Sequence, residues 1–451
     1  MKRKLEKRLK QIKGCLMNKA VPELTKLLKD SHPADLAEIL NHLRKEERRA
    51  LLDRLNPEEA AQVLPEMDSG SREELLESLE DTLLSRILEV MPTDNAADIL
   101  RDLPEERERH ILELMKKEEA EDVNQLLKYD EDTAGGIMTP DFFALQGNMN
   151  VEEAIEKLRK SDIESISYIY VVDDKGHLAG VLSLKKLITA PGTTSLKEIM
   201  DTEVIRVTTD IDQEEVANLV RKYDLRALPV VDLTNTLVGR ITVDDVLDVI
   251  EEEANEDIYK MAGTDEEEML DRSIFRVARI RLPWLITTLL GTIISASIIM
   301  AFKKIRIDAQ TLIGLLAFVP AITAMGGNIG IQSSTIVVRG LATGRIDLQH
   351  LWRVLFREIR IGALMGLACG FIVGGIARLW QGEAIIGLIV AVSMFTAITV
   401  AATIGTLAPL ALKRFKIDPA VAAGPFVTTS NDITGLLIYF SLTAWLLSLV
   451  R

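Results

Sequence analysis

Cysteine is nearly absent: the 451 residues include two, Cys15 and Cys369, one in each part of the chain. That excludes a disulfide framework and fits a reducing cytosol. Histidine is scarce as well, with five in all and only His350 beyond residue 282. There is no HExxH helix and no evident nucleophile constellation, which argues against an enzyme. Bases are outnumbered by acids, 53 to 68, for a net charge of −15. The acidic part would repel phosphates, so nucleic acid is not the expected partner. The amino terminus, MKRKLEKRLKQIK, has no apolar core and is not expected to be a signal peptide.

The average charge hides a division. Residues 1–282 carry 62 of the acids and 40 of the bases, a net of −22, whereas the last 169 residues carry 13 bases and six acids, a net of +7. The second part contains five apolar stretches, 283–302, 311–338, 361–380, 384–412 and 420–450. Each is long enough to cross a hydrocarbon core, which takes about 20 helical residues. All four tryptophans fall in this part, and Trp284, Trp380 and Trp445 stand near stretch ends, as interfacial rings do. If the acidic part is cytosolic, inside flanks hold twelve Lys and Arg against five outside, with KKIR at 303–306 the one dissenting loop. That bias predicts a cell-membrane protein with its soluble part in the cytosol and its carboxyl terminus outside.

Three stretches carry more than apolarity. The third repeats glycine every four residues, at Gly362, Gly366, Gly370 and Gly374, a ridge whose ordinary role is close helix packing. The second contains PAITAMGGNIGIQSST, with Asn328 and Gln332, and the fifth contains AAGPFVTTSNDITG, with Gly424, Thr428, Asn431 and Asp432. Proline and glycine loosen a helix there, and polar residues at membrane depth face protein or water. Asp432 is the only acid well inside the five stretches, and no base inside them neutralises it. A structural aspartate bonded to Asn or Thr neighbours is the plainer alternative; a functional one is the default. Its missing counter-charge would be a cation or a proton. One carboxylate among hydroxyls, an amide and carbonyls is an all-oxygen setting suited to Mg²⁺ or Ca²⁺. A dimer would bring two such acids to one axis.

The acidic part repeats internally. GIMTP at 136–140 answers EIMDT at 198–202, and YIYVVDDKGHLAGVLSLKKL answers LPVVDLTNTLVGRITVDDVL. Each copy reads helix, β-branched run, second strand and closing helix. The closing run of the second copy is unusually acidic, from Asp244 to Asp257. Such a run is often a solvated helix face, but these like charges lie just before the linker into the first stretch and repel unless cations screen them. Before the repeat, HPADLAEIL, NPEEAAQVL and PTDNAADIL each place a proline near a helix start and continue into an apolar stripe. They predict an all-α, superhelical domain. Asp94 and Asp98, four apart, share a helix face.

The repeat resembles a tandem CBS pair, an α/β module that often binds adenine nucleotides. The Gly-x-x-Thr/Ser-x-x-Asp pattern is met by Gly239, Thr242 and Asp245, while Lys186 replaces the acid in the first copy. The resemblance implies ATP as a possible ligand, with Tyr170 joining that set. The order of parts, with GGNIGIQ and DPAVAAGPFVTTSNDITGLLIY, resembles the MgtE family of magnesium channels over essentially the whole chain. It implies a helical domain at 1–133, CBS repeats at 134–197 and 198–263, a connecting helix at 264–282 and a five-helix membrane domain at 283–451. It further implies a homodimer in the bilayer with its pore between subunits. Asp432 with Thr428, Gly424, Asn328 and Asn431 would hold the transported Mg²⁺, and Asp418 would hold metal at the cytosolic pore end. Regulatory Mg²⁺ would be held by Asp94, Asp98, Glu214, Asp224, Asp245, Asp248, Glu253, Glu256 and Asp257. The rival functions are a proton- or sodium-coupled transporter and a membrane-anchored sensor.

Overall fold

The three proline-led phrases become three short helices, Pro33–Asn41, Pro57–Val63 and Thr93–Arg101. The proline at the first helical position, or just ahead of it, lacks an N–H that the helix start could not have used. Asn56 accepts from the Glu59 amide while Glu59 reaches back to the Asn56 amide, closing a capping box. The apolar stripes are equivalent: Leu36, Ala37, Ile39 and Leu40; Ala60, Ala61, Val63 and Leu64; Ala96, Ala97, Ile99 and Leu100, all buried. Helices this short do not persist alone, so shared burial stabilises them. Their core runs on through Met138, from the opening phrase of the first copy, and Val216, Ile241 and Val246 of the second.

The computed structural model describes residues 2–17, 21–161, 166–265, 274–302, 309–346 and 350–450. The chain forms two units, Met1–Ile250 and Glu251–Arg451. In the first unit each repeat builds a three-stranded sheet, β1 (Ala144–Gln146), β2 (Tyr168–Val172) and β3 (Leu178–Ser183), then β4 (Val207–Thr208), β5 (Ala227–Val231) and β6 (Leu237–Thr242). In both, the first pair is parallel and the second antiparallel, and register slips at Val171/Val172 and again at Val230/Val231. The phrases that open the copies are exchanged. Thr139 pairs with Arg240 beside β6, and Asp201 pairs with Val181 of β3. A Cβ on Gly239 would stand 2.6 Å from the Met138 sulfur, and one on Gly180 would stand 2.6 Å from that of Met200. Both glycines are therefore required by the crossing methionine.

The closing helix of the second copy is one 20-residue element, Val243–Ala262. Of the expected connecting segment, residues 266–273 lie outside the described residues, as does KKIR at 303–306; residues 274–282 belong to the helix of the first span, Ile274–Phe302. Among the described residues five helical segments are long and apolar enough to cross a membrane: Ile274–Phe302, Gln310–Ala342, Leu351–Gln381, Ala384–Arg414 and Ala420–Leu449. Two are broken. The second divides into Ala309–Leu316 and Val319–Ala342, just ahead of Pro320, and the fifth into Ala420–Ala423 and Pro425–Val450, around Gly424. The glycine ridge of the third span packs on the fourth: a Cβ on Gly370 would lie 2.6 Å from the Ala391 carbonyl oxygen, and one on Gly366 2.8 Å from that of Phe395.

Candidate ion pathway and regulatory acids

The membrane site is assembled where the second and fifth spans cross. Asn431 is 1% exposed and its Nδ2 donates to the Gly326 carbonyl at 3.3 Å. Gly330 is the residue that admits it, since a Cβ there would collide with the Asn431 amide, and the Gly330 carbonyl in turn meets Gly405 of the fourth span. Thr428 lies against Gly327 and bonds through its backbone N–H to the Gly424 carbonyl at 3.3 Å. Asp432, half-buried, is one helical turn after Thr428 and shares its face. The two polar segments singled out in the sequence thus meet, with Asn431 held between the helices and its Oδ1 buried without a hydrogen-bond partner. Asn328 does not join them. It is exposed, as is Gln332 one turn later, on the side of the second span turned away from Gly327 and Gly330.

The break at Gly424 receives the end of the helix Val243–Ala262. A Cβ on Gly424 would lie 2.5 Å from the Met261 carbonyl oxygen, so only glycine fits. Asp418 accepts from the Ala420 amide at 2.8 Å, and its other oxygen accepts from the Lys260 ammonium at 2.8 Å. Lys260 also pairs with Glu256 one turn back. Burial alone would lower its pKa, but Asp418 and Glu256 more than offset this and raise it above the usual lysine range.

Glu358 was not singled out in the sequence. The helix of the third span begins at Leu351, ten residues ahead of its apolar stretch, and carries Glu358 into the protein at 3% exposure. There Ser333 of the second span donates to it at 3.1 Å, and among the described residues no base stands within ion-pair distance. Asp432 is therefore joined by a second acid within a span. The signal that was available is the i, i+4 spacing from Glu358 to Gly362, which continues the glycine ridge.

In the soluble unit Asp94 and Asp245 are brought together. Burial, then the Asp245 charge, pushes the Asp94 carboxyl up to about 7, and its Oδ1 is buried without a hydrogen-bond partner. Asp245 is also raised, by burial first, against two bonds from Thr242, whose N–H and Oγ1 donate at 2.9 and 2.6 Å. Asp98 is held by Arg101 at 2.9 Å; burial raises its pKa to about 6, but its side chain is 56% exposed, so the carboxylate stays charged at neutral pH. The other acids are dispersed. Glu214 sits in the first turn of the helix Gln213–Tyr223, and Asp224 ends that helix at φ 51. Asp248, Glu253, Glu256 and Asp257 are strung along Val243–Ala262. Among the described residues no three acids, histidines or cysteines gather at one point. In the nucleotide set, Gly239 serves the Met138 crossing, Thr242 and Asp245 cap a helix, and Tyr170 is 1% exposed with its hydroxyl unpartnered.

An all-helical domain, an interlocked CBS pair and five spans, two of them broken at polar segments, define a membrane transporter carrying CBS domains. Family profiles agree: "MgtE intracellular N domain" matches residues 31–132, "CBS domain" 134–192 and 196–252, and "Divalent cation transporter" 319–442. The magnesium transporter MgtE of Thermus thermophilus is 43% identical over 332 residues, 73% of either chain. That of Bacillus subtilis is 39% identical over 331 residues, 72% of either chain. A crystal structure of the cytosolic domain of the Mg²⁺ channel MgtE in complex with ATP is 41% identical with a TM-score of 0.51, covering 53% of this chain and 99% of that one. The soluble part of a magnesium transporter is 33% identical at a TM-score of 0.50, covering 55% and 99%. The chain belongs to the MgtE family of divalent cation transporters.

Proposed function

We propose that the protein is a channel that passes Mg²⁺ into the cytosol down its electrochemical gradient and is closed by cytosolic Mg²⁺. The observation that carries this is the crossing of two broken spans at Asn431 and Gly330, with Thr428 and Asp432 on the next face. A single carboxylate beside hydroxyls and carbonyls freed by the Gly424 break suits a hard cation that keeps part of its water. Asn328 and Gln332 are exposed on one face of an apolar helix. Polar groups at that depth need water or protein, which supports a homodimer with this face along a shared axis. The membrane domain is taken as 283–451, with the soluble parts at 1–133 and 134–263 and the linking segment at 264–282 facing the cytosol and the carboxyl terminus outside.

Closure by Mg²⁺ rests on the acids of the soluble unit. The orphaned Asp94 oxygen beside Asp245 fits a small oxygen-seeking cation with water completing its shell. Several weak sites, including Asp98, Glu214, Asp224, Asp248, Glu253, Glu256 and Asp257, would act together to make the response steep. ATP binding at the CBS pair is part of the proposal, on Tyr170 and the cleft near Asp245; the related cytosolic domain was crystallised with ATP. The deciding experiment is Mg²⁺ flux into proteoliposomes carrying the unaltered protein or Asp432→Ala. The variant is expected to insert normally and pass no Mg²⁺; normal flux would remove Asp432 from the mechanism. A driving force that follows pH or Na⁺ would instead favour a coupled transporter.

A further inference from the structure

The helix of the third span is longer than a membrane needs. Leu351–Gln381 has 31 residues, about 46 Å of helix against a hydrocarbon core of about 30 Å. Trp380 is exposed at one end, where an interfacial ring belongs, so the surplus of about ten residues falls at the other. That surplus has two faces. Leu351 and Val354 pack on Val337, Leu341 and Leu410, and Leu355 and Glu358 are buried. Trp352, Arg353, Phe356, Arg357 and Arg360 are exposed, with the Trp352 and Phe356 rings tilted together at 6.2 Å. Arg360 and Arg357 fall within the headgroup layer, about 5–8 Å deep on each side. Arg353, one turn further out, reaches back to it along its side chain.

The three arginines step by four and three, and the same row continues as Leu364, Leu367 and Phe371, all exposed. A row that meets hydrocarbon chains along one part meets the headgroups of the same lipids along the next. Among the described residues none of the three guanidinium groups pairs with an acid. Arg360 donates through Nε to the Phe356 carbonyl at 3.2 Å, and the one acid of this helix, Glu358, is on the buried face. Uncompensated cations at that depth attract phosphate, and guanidinium forks hold its oxygens two at a time. A zwitterionic headgroup brings its own ammonium to compete with the arginines; an anionic one does not. A second copy of this chain is a poor occupant, because a two-fold contact centred on this row sets arginines against arginines. We propose that Arg353, Arg357 and Arg360 form a binding site for one anionic phospholipid, whose phosphate they hold and whose chains run along Leu364, Leu367 and Phe371. The site goes beyond the proposed function and needs neither bound metal nor ion flux.

The test uses the full chain in phosphatidylcholine vesicles containing a trace of photoactivatable phosphatidylglycerol. Crosslinks located by peptide mass spectrometry are expected within residues 351–371, roughly tenfold or more above those from photoactivatable phosphatidylcholine. Arg353→Gln/Arg357→Gln/Arg360→Gln is expected to lose that excess, and the corresponding triple lysine variant, which keeps the charge, to retain most of it. Excess labelling only elsewhere, or an excess that survives in the glutamine variant, overturns the proposal. Unlabelled phosphatidylglycerol is expected to compete the labelling away, and inorganic phosphate in large excess is not; displacement by phosphate alone would make this a free-anion site and sink the lipid. A second measurement needs no variant. The midpoint of thermal unfolding in detergent is expected to rise more with added phosphatidylglycerol than with phosphatidylcholine, and the difference to fade in high salt. An equal rise with both lipids would refute the preference for an anionic headgroup.

Discussion

Asp94 shows how one carboxyl converts crowding into a response. Its native pKa of about 7 stands above the ordinary 3.8, so the folded chain keeps a proton that the unfolded chain releases as pH rises between those values. Stability must therefore fall across that window, since the native state binds more protons. Asp94→Asn is expected to remove the slope and to stabilise the protein at pH 8 by roughly 1–3 kcal/mol, with a smaller gain at pH 5. Melting curves against pH check this, and Mg²⁺ at pH 8 should raise the midpoint of the unaltered protein more than that of the variant. Glu358 is the contrasting case, an acid that accepts from the Ser333 hydroxyl. Glu358→Ala strands Ser333 and is expected to cost roughly 1–3 kcal/mol, Glu358→Gln less because it keeps a hydrogen-bonding group. Equal melting of the two variants would mean that the bond is idle. The sequence concealed Glu358 among Arg353, Arg357 and Arg360, where an acid reads as part of a charged flank. Asp432 stood out for the opposite reason, having no other charged residue in its stretch, 420–450.

Among the elements, those whose pattern is local were the legible ones. Proline and apolar stripe recur within nine residues in three helices of the amino-terminal domain, and the repeat announces its strands through β-branched runs. What depends on distant partners was hidden. Gly239 reads as a ligand glycine from its motif, whereas its lost Cβ makes room for Met138, a residue of the other copy's opening phrase. Asn328 and Asn431 look alike in two polar segments, yet one is exposed and the other is locked against Gly326. The third-span ridge was legible in both pattern and role. Gly370→Leu drives four carbons toward the Ala391 carbonyl and is expected to cost roughly 1–3 kcal/mol or more. The same change at Gly375, which has open space around it, is expected to be close to neutral. Thermal unfolding of the two variants in detergent would expose an error if they melted alike.

For the whole molecule, charge is the organising quantity. The part before residue 283 carries −22 and the part after it +7, so a divalent cation has far more to neutralise on the soluble side. If the proposed function holds, replacing Asp245, Asp248, Glu253 and Glu256 together with amides is expected to leave Mg²⁺ flux on at high Mg²⁺ and to abolish protection from protease by Mg²⁺. Because Glu256 also pairs with Lys260, the triple variant that spares it tests the remaining acids with that ion pair intact. Unchanged protection in the triple variant would place the sensor elsewhere.

The exchanged openings of the two CBS copies bear on how the chain is made. Thr139 meets Arg240 roughly a hundred residues later, and contacts so far apart form slowly. As the chain leaves the ribosome, the segment around Met138 has no surface to rest on until β6 has been synthesised. Neither copy can be completed alone, so the pair must close as one late event. A chain truncated between the copies would leave the Gly180 edge bare and ready to accept the Met200 phrase from an untruncated molecule.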